Sequence, residues 1–359
     1  MKQPHLICDI YKCDKKMSPG EKTSCYPPLS SLGIFLILVI FFTCPASAYS
    51  QVVKGTVFDK NTKDPVGYAY LYFSGTFSGT QTDQNGNFTL DASVARSIPL
   101  TISAIGYYSV TLNEYLTGKP LSVYLIPKVY ELNEVKISAK SLARKRKSNL
   151  LLFKEYFLGT TDNARECEIL NESDITFNYD SDRDTLKAYA LNPILIDNRA
   201  LGYKITYYLD KFEYIRDNET FSFRGNIIFQ EDLNTDQSRE EHFEKKRKYA
   251  YLGSRMHFFR ALWYDDFKST GFKIGGVTSD NLSYKDIVIV DAGKKFLKYN
   301  ENLTISYYTK NITGLEFLKE KVFFSNDGYY DSDGIIWEGY MANRRIGDWL
   351  PYEYIVKEY

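Results

Sequence analysis

From Gln51 onward the chain runs in short stretches where apolar and polar residues alternate, each closed by a cluster of turn formers. A period of two puts every second side chain on one face, so such stretches fold as strands with one buried side. "VVKGTVFD" alternates through Val53, Gly55 and Val57; "NTKDPVG" holds Asp64-Pro65 and Gly67; "YAYLYFSG" is the next run. In "TDQNGNFTL", residues 82–90, Asn85-Gly86 suits the positive φ angles of a tight hairpin turn, and Phe88 and Leu90 share a face. "IPLTISAIGY" and "LSVYLIP" follow. Several strands at this spacing predict an antiparallel sandwich. The chain's 31 Tyr and 23 Phe lean all of it toward β structure, with sheet packing as the main use of the rings and ligand contact as the lesser one.

Residues 32–42, "LGIFLILVIFF", are eleven apolar residues without a charge. A bilayer span needs about 20. The run fits the core of a secretory signal, and Ala46-Ser47-Ala48 fits a small-residue cleavage site, so residues 1–48 read as a signal peptide and the mature chain as starting near Tyr49. Met17 is an alternative start, and an uncleaved anchor is the competing reading. Cys44 raises a lipoprotein reading, but Phe41, Phe42 and Thr43 are not the small residues a lipid-anchoring signal prefers. Cleavage would remove Cys8, Cys13, Cys25 and Cys44 and leave Cys167 alone, with no internal disulfide and no cysteine metal site. Lys plus Arg equals Asp plus Glu at 45 each, so no basic surplus points to nucleic acid.

The opening stretch is a poor calcium loop. Asp83, Asn85 and Asn87 alternate, but the place for a closing acid is held by Val94. Taken together, the "GTV" strand, the "DPVGYA" turn, the "TDQNGNF" hairpin and the "SAIGY" strand, over residues 51–127, resemble the carboxypeptidase regulatory-like domain. That resemblance implies a transthyretin-like seven-stranded β-sandwich, not itself catalytic, common in envelope proteins of Bacteroidetes ahead of other domains. The domain reading is therefore a sandwich over 49–128, a linker over 129–148 and a β-rich domain over 149–359.

"YELNEVKISAK", residues 130–140, resembles the segment that follows this domain in TonB-dependent outer-membrane receptors. A receptor barrel of about 22 strands at about 10 residues each would consume everything that follows. A smaller barrel would put Lys357 and Glu353 on its lipid face behind Tyr359. The segment reads instead as an extended connector ending in the basic run "ARKRK", 143–147, a solvated linker with attraction to acidic surfaces as its lesser reading.

The remainder starts with a helix in "SNLLLFKEYFLG", capped by Ser148 and ended by Gly159. Strands follow in "DITFNYD", "TLKAYA", "PILIDN", "LGYKITYYLDKFEYI" and "TFSFRGNIIFQ". A helical pair interrupts them: Glu241 with Lys245 and Glu244 with Lys248 have helical spacing, Ser254 can cap the second helix, and Met256, Phe259, Trp263 and Phe267 form a stripe. "KDIVIVD", "NLTISYYTK", "KVFFSND" and "DGIIWEGYMA" are strands again. The fold class is mainly β: the sandwich, then a larger α+β domain with a helical insertion. "FKEYFLGTTDNARECEILN", "YLGSRMHFFRAL" and "GYMANRRIGDWLPYEY" resemble an uncharacterised region that follows the regulatory-like domain in Bacteroidetes, and this resemblance carries no activity.

The chemical inventory is thin. His242 and His257 are the histidines left after cleavage, in no metal-binding spacing; His257 reads as a helix-end or packing residue. Ser254 lacks the glycines of a nucleophile elbow and reads as a cap. Cys167 reads as a small buried residue at a strand start. Asp180, Asp182 and Asp184, and Asp327, Asp331 and Asp333, read as solvated turns; in the first, Thr185 and Leu191 stand where a calcium loop needs Gly and Glu. No catalytic, cofactor or metal residue is assigned and no cofactor is expected. The expectation is an exported, non-catalytic protein of the periplasm, outer membrane or cell surface, binding or scaffolding an envelope protein or glycan, with outer-membrane association and without nucleic acid. The alternative is a hydrolase that draws two carboxylates from the acidic turns to act on glycan or peptide.

Overall fold

The computed structural model describes residues 52–93, 97–128, 139–232 and 237–357. Residues 1–48, read above as a signal peptide with four cysteines, and the receptor-like segment up to residue 138 lie outside the described residues. No helix among the described residues is long and apolar enough to cross a membrane.

Alternation builds the sandwich. Val53, Val57, Leu71, Phe73, Phe88, Leu90, Leu100, Ile102, Val123 and Leu125 point inward and are buried in one apolar cluster. One sheet orders Asn87–Asp91, Val52–Asp59, Leu121–Pro127 and Tyr107–Tyr108; the other orders Gly79–Gln81, Tyr70–Phe73, Leu100–Ser103 and Val110–Leu112. Tyr107–Tyr108 and Val110–Leu112 are one run that crosses from the first sheet to the second at Ser109, so seven runs of chain supply both sheets.

Two expectations change. The sandwich is not wholly antiparallel: Val52–Asp59 pairs parallel with Leu121–Pro127, a pairing open to runs joined by a long crossover. Asn85-Gly86 does not close a hairpin either. Gly79–Gln81 and Asn87–Asp91 lie in different sheets, and the turn carries the chain between them. Gly86 has φ 74°, and a Cβ there would stand 2.6 Å from the carbonyl oxygen of Val57. The Asp83 carboxylate accepts the backbone N–H groups of Asn85 (2.9 Å) and Asn87 (2.8 Å), which fixes the corner and holds its pKa below the usual carboxylate range.

The larger region has two apolar clusters. The first surrounds strand Tyr203–Ile215, which pairs along one edge with Ile194–Asn198 and Thr185–Ala190 and along the other with Thr220–Glu231. Ile175–Asp180 and Cys167–Ile169 complete that sheet. The second cluster joins Phe258, Phe259 and Leu262 to a four-stranded sheet (Phe272–Gly275, Leu303–Tyr307, Asn311–Phe317, Ile335–Gly339) and a three-stranded one (Val288–Asp291, Lys294–Leu297, Val322–Phe324). The helical pair, Gln237–Tyr251 and Arg255–Tyr264, lies between: Met256 belongs to the first cluster and Phe259 to the second. Ser254 caps as expected, its Oγ accepting the N–H of His257 at 3.1 Å. The stripe breaks after Trp263, because Asp265 turns left-handed (φ 54°) and puts Phe267 in a separate turn. Glu244 pairs with Arg247 at 2.9 Å rather than with Lys248, since both lie on the helix's buried face.

The linker reading over 129–148 is corrected from Ala139 on. Ala139–Leu158 is one helix of 20 residues, and Ser148 is an exposed interior residue, not its cap. Ala, Arg and Lys are strong helix formers, and a solvated charge run does not interrupt a helix whose other face is anchored. The anchor is Phe153, fully buried, stacked on Phe157 at 4.8 Å and edge-on to Phe212 at 4.8 Å. Phe153→Ala should cost about 3–5 kcal/mol of unfolding free energy; urea titration followed by fluorescence would measure it, and a loss below about 1 kcal/mol would show that the helix is not held there.

Candidate functional site

A cluster of buried polar groups lies where the sandwich meets the larger region. Strand Leu100–Ser103 is buried on both faces: Leu100 and Ile102 point into the sandwich, while Thr101 and Ser103 point out of it and are still covered. The cover is the pair Tyr203–Ile215 and Thr220–Glu231. Tyr208 stacks on Tyr72 at 5.8 Å, and Thr101 Oγ1 lies 3.5 Å from Asn226 Oδ1.

A β-bulge at Asp210 aims a carboxylate into this junction. Asn226 Nδ2 donates to Asp210 Oδ2 at 3.3 Å, Ser109 donates to the same carboxylate, and Lys128 Nζ lies 4.0 Å from Oδ1. A carboxylate only accepts, so the direction of the neighbouring bonds is set. Ser109 gives its proton to Asp210, Ser103 Oγ gives to Ser109 Oγ over 2.7 Å, and Tyr72 Oη gives to Ser103 Oγ over 2.9 Å. Lys128 Nζ donates to the carbonyl of Leu209 at 2.9 Å. Burial raises the pKa of Asp210, opposed by Lys128 and Ser109, and lowers that of Lys128, opposed by Asp210. Each weakens the other's charge penalty, and the relay ties two sheets of one module to two strands of the other.

A second contact lies beside it. Residues 74–77 run along the free edge of Thr220–Glu231: Gly75 N–H donates to Ile227 O (2.9 Å), Phe229 N–H to Thr76 O (3.2 Å) and Ile227 N–H to Ser74 Oγ (3.2 Å). Tyr352 N–H donates to Gly75 O at 2.8 Å, and Glu353 Oε1 accepts Phe77 N–H at 2.9 Å. Gly75 has φ 84°, and a Cβ on it would stand 2.6 Å from the Tyr352 ring.

The residues singled out by sequence lie elsewhere. His257 is buried; its Nδ1 accepts Gly253 N–H at 3.1 Å, and its ring packs on Tyr251 (4.7 Å) and Phe272 (4.9 Å). Burial pushes its pKa down to about 4. His242 is exposed on the first helix of the pair. The Cys167 thiol donates to Asn163 O at 3.4 Å, and burial pushes its pKa up to about 12, far from a thiolate nucleophile. Asp180 pairs with Lys187 at 3.2 Å, Asp184 accepts the Tyr179 hydroxyl, and Asp182 is exposed. Asp327 accepts Tyr329 N–H at 3.1 Å, Asp331 pairs with Lys319 at 2.7 Å, and Asp333 is exposed. Among the described residues no group of three His, Cys, Asp or Glu side chains is placed to hold a metal ion.

Asp210, Lys128 and Ser109 were not found by sequence reasoning, yet a signal exists. In "YKITYYLDKFEYI" Tyr203, Ile205, Tyr207 and Leu209, then Phe212 and Tyr214, face the first apolar cluster, while Tyr208 is buried on the opposite face against Tyr72. That slip of one residue in a period of two marks the bulge.

Residues 53–137 match the family model of the CarboxypepD_reg-like domain. The CarboxypepD_reg-like match takes in the strands of the sandwich and ends before the larger region. A comparison with curated proteins found no match. Among solved structures, a 9R-lipoxygenase from Cyanothece PCC8801 is similar over 65% of this chain at 11% identity and a TM-score of 0.17, too low to carry an argument. The chain spans 52% of that protein's chain.

Two outcomes are expected. Ser109→Ala breaks the relay and leaves Asp210 and Ser103 short of a partner, at about 1–3 kcal/mol; amide exchange in Leu100–Ser103 and Thr220–Glu231 should quicken while Val288–Asp291 is unchanged. For His257 the folded pKa lies below the unfolded value of 6.5. The unfolded chain therefore binds the proton first, and stability is lost as pH falls from 6.5 toward about 4, by up to about 3 kcal/mol. Melting temperatures across that window should show the loss, and His257→Gln should flatten it.

Proposed function

We propose that the chain is a non-catalytic binding or scaffolding protein of a bacterial cell envelope, of the kind found in Bacteroidetes, exported by the leader at 1–48, with an envelope protein or a glycan as partner. Residues 49–128 act as the docking module, and the larger domain holds that module in a fixed orientation. The observation that carries this reading is the division of labour between the two sheets of the sandwich. One is buried beneath Tyr203–Ile215 and Thr220–Glu231. The other keeps aromatic side chains on its outer face: Phe58 stacks on Tyr124 at 5.5 Å, Lys63 lies 4.8 Å over the Tyr124 ring, and Ile126 stands two residues on, paired with Tyr108. Tyr124 and Ile126 are 45% and 43% exposed. A flat ring pair with a cation beside it suits the apolar face of a sugar or a planar peptide group, and ordering it takes little side-chain entropy.

The carboxylate-hydrolase alternative draws no support from the acidic turns: Asp180, Asp184, Asp327 and Asp331 are engaged by Lys187, Tyr179, Lys319 and backbone N–H groups, and Asp182 and Asp333 are exposed. The reading is tested by retention of envelope proteins and glycans on the immobilised chain. Phe58→Ala with Tyr124→Ala should weaken retention roughly thirtyfold, as loss of a central aromatic anchor does, without lowering the melting temperature by more than a few degrees. Retention unchanged by the double substitution would sink it.

A further inference from the structure

The basic run is now a helix face. Helix Ala139–Leu158 buries Asn149, Phe153 and Phe157 and turns Arg144, Lys147, Ser148 and Leu151 outward, with Lys145 exposed at the side. Of its basic residues Arg146 is consumed by the fold, donating to Ile175 O at 2.7 Å and Glu172 O at 2.8 Å, and Lys154, further along, pairs with Glu172. Lys145 and the exposed Arg216 flank the Tyr179 ring at 5.4 and 5.0 Å. Among the described residues Arg144, Lys145, Lys147 and Arg216 form no ion pair; the carboxylates near Tyr179 are engaged, Asp180 by Lys187 and Asp184 by Tyr179 itself. Glu155 is the acid further along the outward stripe, two turns past Lys147.

This placement runs against the helix's own electrostatics. The first turn holds no acid, and the cations crowd the half of the helix whose dipole is positive. Cations there are unfavourable, and acids would be favoured. The fold gains little from Arg144 and Lys147 that would offset this. A local rule broken without return inside the fold points outside it.

We propose that this helix face docks on an anionic lipid surface. Arg144 and Lys147, without an ion pair among the described residues, stand in one row with Leu151, 60% exposed. A row of long exposed cations beside an exposed leucine matches a plane of phosphate headgroups with acyl chains beneath, where basic stems lie along the interface and apolar residues dip in. The proposal is independent of the partner face on the sandwich, which lies on a different module.

The test sediments the full chain with vesicles of phosphatidylcholine, alone or with phosphatidylglycerol, at rising salt. Binding should need the anionic lipid and fall with salt. Arg144→Gln with Lys147→Gln should lower the partition coefficient ~30-fold, at ~1 kcal/mol for each cation near the surface. Both side chains are exposed and oppose the helix dipole, so the melting temperature should not fall. Leu151→Ser should weaken binding less and without altering the salt slope. Equal sedimentation with neutral vesicles, equal binding by the double variant, or binding to soluble polyglutamate but not to vesicles would each overturn the proposal.

Discussion

Strand Thr220–Glu231 pairs with Tyr203–Ile215 on one side and would otherwise end its sheet in a row of unpaired backbone groups. Such an edge invites another chain. Here residues 74–77 of the sandwich lie against it and Tyr352 closes over them. Much of the molecule's organisation follows. The sandwich needs an outer face of Thr101, Ser103 and Tyr72 that can be buried, and the larger region needs Asp210 and Asn226 to satisfy it. The uncovered edge is not suited to being left alone, and the polar strand face, once covered, needs the partners that the larger region supplies.

The same economy governs the ionisable groups. Arg255, Arg260 and Arg344 donate to backbone carbonyls: Arg260 alone reaches Asp327 O, Tyr352 O and Tyr354 O. Asp348 is buried, with a raised pKa, and accepts Thr161 Oγ1 at 2.7 Å and Asn163 Nδ2 at 2.9 Å. These groups replace regular structure where the chain after Gly339 has little of its own. A perturbed carboxyl is often taken as a sign of catalysis; here each has a structural partner. The aromatic sheet face and the basic helix face stand apart from these buried groups, on the surface.

Strands were legible wherever a period of two ran for five residues or more: Ile175–Asp180, Thr185–Ala190, Ile194–Asn198, Tyr203–Ile215 and Thr220–Glu231 fall on the runs read from sequence. Phe272–Gly275 and Lys294–Leu297 are too short to show a period, and Gly314 hides Asn311–Phe317. Which strands pair was not legible. Asn85-Gly86 announces a turn but does not say that the turn changes sheets, because φ at Gly86 is the same in either case. The helix was read only from Ser148, and its first half from Ala139 was missed, because a charge run carries no apolar period until Leu150. The junction was hidden for a different reason: Thr101 and Ser103 read as the wet side of a strand, and only a second module makes them dry.

Phe77 and Glu353, joined by one hydrogen bond, are 276 positions apart. Bringing such distant points together is entropically unfavourable until the sheets between them have formed and shortened the effective path. The seam around Gly75 and Tyr352 is therefore a late event in assembly, closing once both sides have taken shape. Until then the polar strand face and the open edge are uncovered together in the same molecule. That interval is when two nascent copies could exchange partners, each lending its loop to the other's edge.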